Sequence, residues 1–137
     1  MIACDTSVLV AAFSRWHADH EPARVALAEA DALIEHVAIE TFSVLTRLPA
    51  PRRVPPRLVE EFLTHHFPDA AVRLPSSAAA RVIEIARKHA VTGGAVYDLV
   101  VALAAATSGA ALLTLDRRAA GTYRAAGVRY RMVSTPE

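Results

Sequence analysis

Cysteine is nearly absent: Cys4 is the only one in 137 residues, so no disulfide can close within the chain and no cysteine zinc cage is available. A reducing cytoplasm is the expected setting. Long apolar runs are missing too. The longest, Leu99 to Ala106, has eight residues, against the roughly 20 that span a bilayer, so no membrane partner is expected. Asp5 interrupts the first apolar stretch, and the start does not read as a secretory leader. Net charge is small, fifteen Lys and Arg against fourteen Asp and Glu, which excludes a simple polyanion-coating protein. Lysine is scarce: Lys88 stands alone beside fourteen arginines. That imbalance fits phosphate-matching guanidinium forks and, equally, a high-GC genome. Gly93-Gly94 lacks the G-x-G-x-x-G spacing of a dinucleotide cradle.

What the chain does have is an apolar majority, 53% hydrophobic against 21% charged residues, over a length that suits one compact domain spanning 1–137. Strand and helix patterns alternate along it. Met1–Cys4 reads as a strand and Ser7–Phe13 as a short helix. A helix with Pro22 at its first position runs to about Ala30. Leu33–His36 reads as a second strand feeding a helix over Val37–Leu48. Pro49, Pro51, Pro55 and Pro56 form a rigid connector, and Pro56 opens a helix to about His66. Ala71–Leu74 alternates like a strand, and Ser76 or Ser77 suits the N-cap of a helix over Ala78–His89. Val96–Thr107 is apolar nearly all round and should be buried on several sides. Ala110–Leu115, Arg117–Ala126 and Val128–Val133 read as strand, helix and strand. Such alternation predicts a mostly parallel sheet covered on both faces, a three-layer α/β/α sandwich.

Four acids sit where acids are costly. Asp5 directly follows Ile2-Ala3-Cys4, Glu40 lies in Val37-Ala38-Ile39-Glu40-Thr41-Phe42, Asp98 is embedded among Val96, Leu99 and Val100, and Asp116 ends Leu112-Leu113-Thr114-Leu115. Each alone has an ordinary explanation: Asp5 and Asp116 as residues that end strands, Glu40 and Asp98 as first-turn acids favoured by the helix dipole. Their joint placement is more informative. In a parallel sheet, the strand ends and the starts of the following helices share one edge, where α/β sheets bind ligands. Four carboxylates gathered there repel one another unless a cation intervenes. Carboxylate oxygens suit Mg2+, or Mn2+, and two such ions about 3.5–4 Å apart serve hydrolysis at phosphorus. Arg47, Arg52, Arg53 and Arg57 near the prolines, and Arg117 and Arg118 beside Asp116, are candidate phosphate contacts. A solvated loop explains the first group equally well.

The stretches Met1–Val10, Ala38–Pro49, Tyr97–Ala102 and Leu113–Arg118 together resemble the PIN-domain ribonucleases, and most closely the VapC toxins of bacterial type II toxin–antitoxin systems. No single piece is specific; the ordered set is. The resemblance places Asp5, Glu40, Asp98 and Asp116 on the acidic catalytic and metal-binding positions, with Thr6, Ser7 and Thr114 as supporting polar neighbours. It implies a single PIN-like nuclease domain and a Mg2+-dependent endoribonuclease that cuts structured RNA, tRNA or rRNA, and inhibits translation. A homodimer and a cognate VapB-type antitoxin whose tail blocks the acidic pocket are implied with it.

Other features point elsewhere or nowhere. His65 and His66, adjacent on a helix, face different sides and do not suit a shared metal. Cys4 reads as a small core residue, and Trp16 as a cover for the core edge rather than a base platform. A haloacid-dehalogenase-type phosphatase also starts from an Asp after the first strand. It wants a second Asp two residues on, where Ser7 stands, and a lysine at a later strand end, whereas Lys88 lies mid-helix. A catalytically silent PIN-like module that only binds a partner is the non-enzymatic alternative.

Overall fold

The computed structural model describes residues 1–134. Its elements in chain order are β1 (Ile2–Cys4), α1 (Thr6–Phe13), α2 (His20–Glu29), α3 (Glu35–Thr46), α4 (Pro56–His66), a 3-10 turn (Ser76–Ala78), α5 (Ala79–Lys88), α6 (Ala95–Thr107), β2 (Ala111–Thr114), α7 (Ala119–Ala126) and β3 (Tyr130–Met132). The three strands are parallel in the order β1-β2-β3, with Ile2 opposite Ala111 and Leu112 opposite Tyr130. Beyond β1 the parallel pattern continues as two single bridges, Ala3 to Ala32 and Ile34 to Val72. With the helices around it, this sheet makes the expected α/β/α sandwich.

The strands at Leu33–His36 and Ala71–Leu74 are therefore corrected to bridges. Helix α3 already begins at Glu35, whose N–H donates to the Val72 carbonyl at 2.7 Å. No length is left there for a ladder. The same shift moves Glu40 from the first helical turn to the second, so the dipole explanation for it falls away. Three smaller corrections follow. Helix α2 begins at His20, placing Pro22 third rather than first. Neither Ser76 nor Ser77 caps α5 through its side chain; both lie in the 3-10 turn that leads into it. Helix α7 starts at Ala119, two residues after the expected Arg117.

Helix α6 is buried on several sides, as its composition demands. Val101, Ala102, Ala104 and Ala105 join the main core with Leu112, Leu113 and Tyr123. Leu99 and Leu103 turn to a second cluster with Val82, Ile85 and Ala86 of α5. The small alanines let helix and sheet approach closely. A third cluster, Leu45, Val54 and Val59, clamps the proline connector between α3 and α4, where the Val54 N–H donates to Leu45 O at 3.0 Å.

Candidate active site

Asp5 lies one residue past β1, held by its own N–H to the Leu113 carbonyl at 3.0 Å. Asp116 lies two residues past β2. Asp98 is in the first turn of α6, and Glu40 one turn into α3. All four line one pocket of about 50 Å3 together with Thr6, Ser7 and Tyr123. The carboxylates meet because parallel strands deliver their ends, and α6 its start, to the same edge of the sheet.

Asp5 is the most enclosed of them, 5% exposed. Its Oδ1 accepts from the Ser7 hydroxyl and from the Val8 N–H, and its Oδ2 accepts from the Tyr123 hydroxyl at 2.7 Å. Thr114 adds a further side-chain hydrogen bond. Burial still wins over these donors and pushes the Asp5 carboxyl above its ordinary range. Ser7 and Thr114 also stitch the sheet edge together. Ser7 Oγ accepts from the Leu115 N–H at 2.9 Å, and Thr114 Oγ1 accepts from the Asp116 N–H at 3.0 Å. The two hydroxyls thus tie the Asp5 carboxylate to the backbone of the two residues that follow Thr114. Thr6 Oγ1 is buried without a hydrogen-bond partner among the described residues.

Crowding of like charge is most visible at Asp98. Burial first, then the charges of Asp116, Glu40 and Asp5, push its carboxyl up from 3.8 to about 6. Among the described residues no three His, Cys, Asp or Glu side chains are drawn together as a ready ion cage. The donor set nevertheless fits a hard divalent cation: four carboxylates and a spare hydroxyl, all oxygen, with mutual repulsion that a cation relieves. Glu40 is 40% exposed at its side chain, and its Oε2 is 3.7 Å from His36 Nε2.

The expected phosphate contacts are spread more widely. Arg117 and Arg118 are exposed beside Asp116, whose Oδ1 accepts the Arg118 N–H at 2.9 Å. Arg47 donates to Ser43 Oγ, Arg53 to the Leu48 carbonyl, and Arg57 pairs with Glu61. The Arg52 guanidinium sits over the Trp16 ring, 4.1 Å from its centroid. None of these four lines the acidic pocket.

Two further side chains take part in the site. Tyr123, fully buried on α7, carries the donor to Asp5, and burial beside that carboxylate keeps its hydroxyl protonated. Nothing local in the sequence marks it. His36 stacks on Tyr97 with ring centroids 5.4 Å apart and faces Glu40; its four-residue spacing from Glu40 was a legible signal. Cys4 is buried, and its thiol is pushed up to about 12, mainly by burial. It is an inert core group, as expected.

Comparison with known proteins gives the family. The PIN domain family matches residues 2–125. The chain is similar to Ribonuclease VapC40 of Mycobacterium tuberculosis (strains CDC 1551 / Oshkosh and ATCC 25618 / H37Rv), 44% identical over 134 residues, covering 98% of this chain and 100% of the relative. It is also similar to Ribonuclease VapC27 of Mycobacterium tuberculosis (strain ATCC 25618 / H37Rv), 41% identical over 128 residues, 93% of each chain. The phosphatase alternative finds no support, since Ser7 contributes a hydroxyl bound to Asp5 and no second carboxylate. An acidic pocket at the edge of a parallel sheet, a PIN match over most of the length and these relatives together place the chain in the PIN-domain family, in its VapC ribonuclease branch.

Proposed function

We propose that this chain is a Mg2+-dependent endoribonuclease toxin of a VapBC-type system, which cuts structured RNA (tRNA or rRNA) and thereby inhibits translation in the cytoplasm. The observation that carries the reading is the convergence of Asp5, Glu40, Asp98 and Asp116 on one pocket, with the Asp98 carboxyl raised by burial and then by the charge of the other three. These four carboxylates would hold Mg2+, with Mn2+ as a substitute. When bound, the ion supplies Lewis-acid charge at the phosphate and lowers the pKa of an attacking water. Ser7, Thr114 and Tyr123 fix the Asp5 carboxylate so that its oxygens stay aimed. Arg117 and Arg118, exposed next to Asp116 in the chain, would take phosphates flanking the cut, and Arg47, Arg52 and Arg53 would meet the RNA farther away. Hydrolysis by water leaves a 5′-phosphate and a 3′-hydroxyl.

The working unit is a homodimer. Ile39 and Phe42 of α3 and Tyr97 of α6 are 63%, 40% and 57% exposed, an apolar group that a second copy would cover. A VapB-type antitoxin inhibits by placing an arginine against the four carboxylates. The test is cleavage of total cellular RNA by purified protein, read by sequencing of 5′ ends. Discrete cuts that need Mg2+ and vanish in EDTA and in Asp5→Asn support the reading. Cuts that persist in EDTA, or in the variant, contradict it. No cutting in Mg2+ by the intact protein would return it to a silent partner-binding module.

A further inference from the structure

A second cavity, about 440 Å3, opens directly from the acidic pocket and shares Thr6, Ser7, Glu40 and Asp116 with it. Its outer wall carries His17 and Asp19, and its floor is Val10, Val44 and Leu115, all half-buried. The metal and acid chemistry makes no use of this outer part. Its backbone is well held: the His17 N–H donates to Ser14 O at 2.9 Å, and the His20 N–H to His17 O at 3.1 Å. His17 Nδ1 accepts the Asp19 N–H at 3.0 Å. An accepting Nδ1 leaves the ring proton on Nε2, so the imidazole is fixed as a donor at its far nitrogen. Behind it the Trp16 ring lies 5.7 Å away, itself covered by Arg52.

The chemistry of this groove argues against a phosphate. Asp19, Glu40 and Asp116 repel an anion, and none of the arginines lines it. An apolar floor flanked by one donor and one carboxylate suits the flat face and mixed edge of a nucleobase. We propose that the groove is a base-recognition subsite for one unpaired nucleotide next to the scissile phosphate. It takes a base with an exocyclic amino group: the amino group donates to Asp19, and His17 Nε2–H donates to a ring nitrogen or carbonyl of that base. Uracil is disfavoured, because its single ring donor lies between two carbonyls that a carboxylate repels. This inference rests on the nuclease reading for the identity of the strand, but the subsite can be probed without cleavage.

The experiment has two arms on the full-length protein. In the first, His17 imidazole signals are followed by NMR, in EDTA, as adenosine, cytidine, guanosine or uridine is added. One or more of the amino-bearing nucleosides should shift them, uridine should not, and Asp19→Asn should weaken the response roughly ten-fold. In the second, a randomised single-stranded RNA pool is cut in Mg2+ and the ends are sequenced. The intact protein should show a base bias at one position flanking the cut, and His17→Gln and Asp19→Asn should each reduce that bias while leaving other positions as they were. Unresponsive His17 signals with all four nucleosides, together with an unchanged bias in both variants, would overturn the subsite while leaving the nuclease standing. A His17 response without any cutting by the intact protein would sink the nuclease and keep the base pocket.

Discussion

Asp98 is asked to be two things at once. Buried and set among like charges, its carboxyl is pushed up to about 6 from an ordinary 3.8, yet it would have to ionise to hold the proposed cation. Because the folded chain binds this proton more tightly than the unfolded one, the contribution to stability is full below about pH 4 and is lost as pH rises through about 6. In EDTA, Asp98→Asn is therefore expected to raise the melting temperature at pH 7.5 by roughly 2–4 °C. It should also narrow the gap between pH 4.5 and 7.5. The same variant should cut RNA at least about 100-fold more slowly. Equal thermal unfolding of the two proteins at both pH values would remove charge crowding from the explanation. Tyr123→Phe tests the support of Asp5 separately. Loss of the 2.7 Å hydrogen bond leaves a buried acceptor short of a donor and is expected to cost about 1–3 kcal/mol in urea unfolding, with a fall in cleavage rate rather than in RNA affinity. The acids themselves were legible because ionisable groups amid apolar runs need a reason. Tyr123 was not: its partner lies 118 positions away, and a tyrosine at a buried helical position looks like any core aromatic.

At the scale of elements, the long periodic helices were easy to read and the shortest strands were not. Leu33–His36 and Ala71–Leu74 have strand composition, but each makes a single bridge before a helix or turn takes over. Composition cannot distinguish a bridge from a ladder, because the difference lies in how soon the next helix begins. Side-chain capping does not set the start of α5. Ser76 and Ser77 look like N-caps, but Pro75 leads both into a 3-10 turn. Helix ends were more predictable. Gly127 closes α7 in the left-handed region at φ 74°, where an L side chain is strained although a Cβ would meet no neighbour within 4 Å. Gly127→Ala is thus expected to destabilise by about 1 kcal/mol through backbone conformation alone. A shift in urea midpoint at constant m-value would show it; no shift would mean that the turn relaxes freely.

For the molecule as a whole, order along the chain matters more than any single motif. Asp5, Glu40, Asp98 and Asp116 are scattered over more than a hundred residues and meet only because parallel strands end on one side. That convergence could be inferred from alternation alone. The groove holding His17 and Asp19 could not, since it depends on how the loop between α1 and α2 folds back beside the strand ends. The apolar group on α3 and α6 predicts assembly: Ile39→Asp should convert a dimer to a monomer by light scattering, and an unchanged mass would place the dimer elsewhere. The most direct measurement is a Mn2+ titration followed by electron paramagnetic resonance on the intact protein and on Asp5→Asn, Glu40→Gln, Asp98→Asn and Asp116→Asn. Saturable binding that each substitution weakens is the expected result. Binding that is absent from the intact protein, or indifferent to all four substitutions, would contradict a shared cation site.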